Sequence, residues 1–341
     1  EKEGLSRNNV RSVVEDRDGT IWIGTGDGLN ACRHGELSRI RFPGEWFEGK
    51  IRTLLPARDG SLWVGTAVGL ARLRGDEQTK FTTTDGLGTN DVRALLEDRA
   101  GTLWIGTFGG GLGCYRDGAL RAFKETNGLS ANRVWALHED PDGVLWVGTE
   151  NGLNRLKDGR ITVFTTRTGL PDNLVNHILE DDRGWLWISH DHGVYRVRRQ
   201  ELNDVAAGRA ERVHCVRYEE DNDRQDVETN GQKSQPAGCK TRDGRLWFPT
   251  TRGVLVFDPR RHREEDAPPL MVVEQVRADG RIVCDNSPPD PTVPVSERPP
   301  ACWGSNLRLP PGGARVLEFR YTDGSKATQR PPSYSDRGAM R

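Results

Sequence analysis

DGVLWVGTENGL, residues 142–153, is a short apolar run centred on Trp146 and bracketed by turn-forming pairs. Turn residues this close together mark out a short strand. The same stretch recurs as DGTIWIGTGDGL at 18–29, DGSLWVGTAVGL at 59–70, AGTLWIGTFGGGL at 100–112, RGWLWISHDHGV at 183–194 and DGRLWFPTTRGV at 243–254. The central tryptophans, Trp22, Trp63, Trp104, Trp146, Trp187 and Trp247, are spaced by 41, 41, 42, 41 and 60 residues. A period near forty with no helical pattern matches four short strands per unit.

Working outward from Trp146, one period contains NRVWALHED, VLWVGTE, GLNRLKDG and RITVFTT, four runs with apolar residues largely in alternation. Each reads as an antiparallel strand of about 5 to 8 residues. A single sheet of this kind cannot bury both faces, whereas a ring of them buries each against the next. The fold expected is all-β, a β-propeller with six recognisable four-stranded blades, followed by a partial β-sandwich segment.

The repeated positions have scaffold duties. The tryptophan is a large plate between neighbouring sheets. Gly24, Gly65, Gly106 and Gly148, two residues later, imply close backbone approach, and Gly19, Gly60, Gly101, Gly143, Gly184 and Gly244 suit positive φ in the first turn. Asn8, Asn90, Asn132 and Asn173 recur four places after Gly, where an Asx turn would fix entry to the next blade. The 60-residue gap holds an insertion of 19 residues, read as a longer outer strand and loop, or as a ligand or partner flap.

Composition excludes several classes. With Lys+Arg 49 against Asp+Glu 50 in 341 residues, the chain lacks the basic surplus that nucleic-acid binding needs. No run of 18 or more apolar residues exists, the opening EKEGLSRNNV has no signal-peptide core, and the chain starts without Met, which reads as a mature form or an excised piece. Six cysteines lie one per segment without a CxxC, and are read as buried thiols. The seven histidines form no HExxH; His190 and His192 in SHDHG are the nearest pair, and no metal or cofactor is expected. Nucleophile elbows, Walker loops and paired carboxylates are absent, and Phe108 to Gly111 is a Gly-rich loop with no helix behind it.

Turns between the second and third strands share one end of the ring with the links between blades. They carry residues that do not repeat: Asp27, Val68, Phe108, Glu150, Asn151, Asp191, His192 and Arg252. On the first strands, one place after the repeated Val or Ile, stand Arg11, Arg52, Arg93, Trp135 and Asn176. Variation on a fixed scaffold is what a recognition surface shows. Three arginines and a tryptophan suit carboxylate or sugar-like ligands, although salt bridging between blades would also account for the arginines.

The motifs DGxLWxGTxxGLxxL and GLSxNxV resemble the two-component regulator propeller repeat of bacterial extracytoplasmic sensor regions. The later stretches SQPAGCKTRDGRLWFPTTRGVLVFDPR, APPLMVVEQVRADGR and NLRLPPGGARVLEFRYT resemble the last blade of such a propeller and the start of the immunoglobulin-like domain that follows it. The resemblance implies residues 1–258 as propeller sensor domain, 259–269 as linker, 270–322 as an incomplete immunoglobulin-like domain and 323–341 as a disordered or aberrant tail. Family propellers are usually seven-bladed, which implies a missing earlier portion. It further implies a non-catalytic, periplasmic or otherwise extracytoplasmic role. A small-molecule or glycan-fragment ligand would be sensed for a histidine kinase module absent from this chain, in a parent sensor that forms homodimers. Two rivals are a propeller lyase similar to the streptogramin lyases, with His192 as its candidate, and a protein-docking propeller.

Overall fold

The computed structural model describes residues 5–42, 51–218, 229, 235–261, 272–278, 281–285 and 317–322. The chain divides into two units, Glu1–Arg261 and His262–Arg341. In the first unit six antiparallel sheets follow one another, each an up-and-down meander with its strands in chain order. The fourth is representative: Val134–Glu139, Leu145–Thr149, Gly152–Lys157 and Arg160–Phe164. Blades one to five have four strands and the sixth, Cys239–Lys240, Leu246–Pro249 and Val254–Phe257, has three among the described residues, one fewer than the repeat implies. The architecture is an all-β, six-blade propeller.

Local sequence sets these hairpins. The turn joining third and fourth strands places His34, Asp117 and Asp158 at φ near +50° ahead of Gly35, Gly118 and Gly159, also positive, the backbone of a type I′ turn. In the first hairpin an aspartate does more than end a strand. Asp140 is wholly buried, accepts the backbone N–H groups of Asp142 and Val144 at 2.9 and 3.0 Å, and takes the Trp146 indole N–H at 2.9 Å. Asp16, Asp98 and Asp181 hold Trp22, Trp104 and Trp187 in the same way at 2.7 to 2.8 Å.

Blades stack because a glycine on one makes room for the next. A Cβ at Gly24 would lie 2.5 Å from Ile51, and one at Gly148 would lie 2.4 Å from Val175. Apolar clusters fill the spaces between successive sheets. At the rim opposite the blade links, Arg17 donates to the carbonyl of Arg58, Arg58 to that of Arg99 and Arg99 to that of Pro141, at 3.0, 3.1 and 2.6 Å.

The first and last blades break this pattern. Val10, Val13 and Ile21 are 42, 50 and 40% exposed, whereas Ile51, Leu54 and Leu62 at the same positions of the second blade are 0, 3 and 4% exposed. Val254, on the far face of the sixth blade, is 58% exposed where Leu70 is 1%.

Two local expectations are corrected. The asparagines do not close short Asx turns. Asn90, Asn132 and Asn173 each accept from a backbone N–H seven residues earlier, on Thr83, Glu125 and Thr166, clamping the 3-10 turns Thr83–Asp85, Glu125–Asn127 and Thr166–Thr168 that follow the fourth strands. The insertion is not strand and loop alone. It opens with a helix, Arg199–Ala206, whose Asn203 accepts from Arg155 at 2.8 Å and whose Leu202 is buried, ahead of the fourth strand Cys215–Tyr218.

In the second unit, Val272–Ala278 pairs antiparallel with both Arg281–Asp285 and Leu317–Thr322. The polar run 219–228, most of the linker, the Pro-rich loop 287–300, Cys302 and the tail 323–341 lie outside the described residues. Cys32, Cys114, Cys215 and Cys239 are free thiols.

Candidate functional site

The first strand of each blade lines the ring axis, and in four blades it carries a β-bulge. Pairing runs Val10 to Thr25 and then Ser12 to Gly24, so Arg11 is left unpaired. Arg52, Arg93 and Trp135 occupy the same extra position in the second, third and fourth blades. A bulge releases one side chain from strict alternation and re-aims it. Four candidate residues are thus redirected by the same backbone device, and Asn176 stands at the corresponding place in the fifth blade, its N–H bonded to the Ser189 carbonyl at 2.8 Å.

The redirected arginines meet one carboxylate. Arg93 grips Asp91 through Nε and Nη2 at 2.8 and 2.7 Å, and Arg52 Nε lies 3.5 Å from the same group. Arg11 lies near enough for its charge to act on both Arg93 and Asp91. Burial, and then the positive charge of Arg93, push the guanidinium pKa values of Arg11 and Arg52 below their ordinary value. Arg11 Nε and Nη1 are buried with no protein acceptor, and Arg52 Nε makes no hydrogen bond of good geometry.

Aromatic rings form the neighbouring wall. Phe108 and Trp135 meet edge to face at 5.6 Å, Arg93 lies over both, and Arg133 covers Phe108 from 4.7 Å while pairing with Glu150 at 2.7 Å. Trp135 Nε1 is buried without an acceptor. Gly109 and Gly111 donate to the Asn132 carbonyl at 3.1 and 2.9 Å, so this Gly-rich loop spends its N–H groups on the scaffold.

On the far side of the axis, buried Asn176 donates to Asp191 at 2.9 Å, and His190 faces Asp172 at 3.3 Å. The two sides are joined by the end of the insertion. Gln235 donates its backbone N–H to the Arg52 carbonyl at 3.1 Å and its side-chain amide to the Asn176 carbonyl at 2.9 Å. Thr229 donates to the His190 carbonyl at 2.7 Å. The insertion therefore reaches the axis rather than staying at the outer edge.

Of the residues singled out in the sequence, Arg11, Arg52, Arg93, Phe108, Trp135 and Glu150 fall in one connected group, and Asn176 with Asp191 joins it through Gln235. Three stand apart. Asp27 is exposed beside Arg39 of its own blade, Arg252 is exposed with only its backbone N–H held by Thr250, and His192 is exposed with its ring 6.1 Å from that of His190. Asp91, Arg133 and Gln235 were not anticipated. The first two lie in the blade links beside the repeated Asn, and Gln235 sits in the insertion whose length is the single cue to it. Among the described residues no three of His, Cys, Asp or Glu gather as ligands for a metal. A cleft of 170 Å³ between the third and fourth blades, lined by Trp104, Phe123, Leu145 and Leu156, opens on the opposite rim and shares no residue with this group.

Comparison with known proteins bears on the fold. The family model described as two component regulator propeller matches residues 4–27, 86–109, 128–151 and 169–192. No curated protein matches the sequence. Among solved structures, the chain is similar to the extracellular domain of the hybrid two component system BT3049 from B. thetaiotaomicron, with TM-score 0.66 and 24% identity, covering 86% of this chain and 39% of that one. The corresponding domain of BT4673 from the same organism gives TM-score 0.59 and 16% identity, covering 82% and 44%. Virginiamycin B lyase from Staphylococcus aureus gives 0.54 and 14%, covering 74% and 85%. The chain spans about two fifths of the length of the two extracellular domains. At these identities the likeness establishes the propeller fold, and four segments of the chain match the two component regulator propeller model.

Proposed function

We propose that this chain is the ligand-sensing propeller region of an extracytoplasmic two-component sensor, without catalytic activity of its own. A small molecule or glycan fragment bound at the channel mouth biases the packing of the propeller, and the change passes to a kinase module outside this chain, in a homodimeric parent. The second unit is read as the start of the immunoglobulin-like domain that continues toward that module. The observation carrying this reading is the contrast along the first strands. Tryptophan, glycine and aspartate repeat from blade to blade as scaffold, while the bulge position changes from Arg to Trp, with Asn at the corresponding place in the fifth blade, and gathers at the axis. The lyase alternative leans on fold likeness at 14% identity, and its candidate His192 stands exposed while the adjacent His190 is engaged with Asp172.

Differential scanning fluorimetry of the chain against a panel of neutral and acidic saccharides tests the reading. A ligand present at a hundred times its Kd adds about 2.7 kcal/mol, enough to raise Tm by several degrees. At least one member is expected to do so, and Trp135→Ala is expected to abolish the effect. A panel without any stabilising member, or one whose effect survives Trp135→Ala, contradicts it.

A further inference from the structure

Among the described residues the charges at the mouth do not balance. Three guanidinium groups, from Arg11, Arg52 and Arg93, stand on three successive blades around the single carboxylate of Asp91. Arg93 uses both oxygens of that carboxylate in a two-pronged grip, leaving Arg52 a long contact and Arg11 none of hydrogen-bonding quality. Buried N–H groups without acceptors cost free energy, more when they carry charge. Rim arginines such as Arg58 and Arg99, by contrast, spend their N–H groups on carbonyls of the next blade. Among the described residues the mouth is thus short of oxygen acceptors, and it is short at side chains that the bulges have re-aimed.

We infer that the mouth takes a small ligand through a carboxylate, which Arg11 and Arg52 bind while Asp91 keeps Arg93 in place. A planar carboxylate offers two oxygens at the spacing of guanidinium N–H pairs and supplies one of the missing negative charges. Trp135 Nε1, also buried and without a protein acceptor, donates to a second oxygen on the same ligand, such as a sugar hydroxyl. Neutral saccharides fill the second role only and leave the arginine N–H groups unmet. The inference rests on the ligand-sensing reading of this mouth and narrows its ligand to a carboxylate-bearing class.

Titration calorimetry at low ionic strength with D-galacturonate, D-galactose, acetate and sulfate tests it. Galacturonate is expected to bind, acetate to bind more weakly and galactose not to bind. Arg52→Met and Arg11→Met, each checked for folding by circular dichroism, are expected to weaken galacturonate at least tenfold, the loss of about one charge-assisted hydrogen bond. Galactose binding as well as galacturonate overturns the carboxylate assignment and leaves the mouth as a ligand site. Sulfate matching galacturonate overturns the preference for a carboxylate. No heat from either acid, or galacturonate binding untouched in both arginine variants, overturns the inference outright.

Discussion

Trp146 donates its indole N–H to Asp140 across 2.9 Å in a wholly buried pair, and the partnership recurs as Trp22 with Asp16, Trp104 with Asp98 and Trp187 with Asp181. The tryptophan plate is therefore located by a polar contact as well as by packing. The aspartate is replaced by Ala57 ahead of Trp63 and by Thr241 ahead of Trp247, and of these two indoles that of Trp247 has its nitrogen buried without an acceptor.

Replacing Asp140 by Ala removes the acceptor for Trp146 and for two turn N–H groups at once. Leaving one buried donor unmet costs about 1–3 kcal/mol, so the variant is expected to lose about 2–4 kcal/mol in urea unfolding. Asp140→Asn keeps an oxygen acceptor and is expected to fall between the variant and the parent. A loss below about 0.5 kcal/mol for Asp140→Ala, the range of ordinary surface changes, contradicts the assigned role.

Equivalent residues in the first and second blades should differ in weight. Leu54 is 3% exposed and Val13, at the same repeat position, 50% exposed. Leu54→Ala is expected to cost about 2–4 kcal/mol by loss of buried area and cavity formation, and Val13→Ala less than about 0.5 kcal/mol. Chemical denaturation of the two variants checks this, and equal losses would show that the outer face of the first blade is covered.

Acid should weaken the propeller through His177. Burial lowers its pKa from the ordinary imidazole value of about 6.5 to about 4. The unfolded chain thus takes up a proton on this residue below about pH 6.5 while the folded chain refuses it until about pH 4. The contribution of the neutral imidazole is complete above pH 6.5 and is lost as pH falls through that window. The loss is at most about 3 kcal/mol. Unfolding free energies of the parent and His177→Gln, measured from pH 7 to pH 4, are expected to converge as pH falls, and parallel curves count against the assignment.

The repeat made the blades legible, because Trp, Gly and turn Asp-Gly pairs each have one physical use wherever they occur. Arg11, Arg52, Arg93 and Trp135 stand out by the same logic, as variable places on a fixed frame. What stayed hidden depended on backbone detail or on distance. The bulges that re-aim these side chains leave no residue signature, Asp91 is one carboxylate among fifty Asp and Glu, and the hydrogen bonds of Gln235 to the second and fifth blades span the axis. The helix Arg199–Ala206 was missed because it lies inside an insertion that the period marks only by its length. Asp27 and Arg252 mislead for a related reason: a turn at the correct end of a blade need not point toward the axis.

Chemical rescue of Asp91→Asn tests most directly the claim that arginines from three blades converge on one acceptor-poor mouth. Removing this carboxylate strands the guanidinium groups, and the variant is expected to lose about 1–3 kcal/mol, a value tempered by the partial exposure of Asp91. Urea unfolding in sodium acetate should restore a substantial part of that loss relative to sodium chloride at equal ionic strength, and should stabilise the parent less. A variant as stable as its parent, or one on which acetate and chloride act alike, would contradict the convergence on which the proposed sensing site depends.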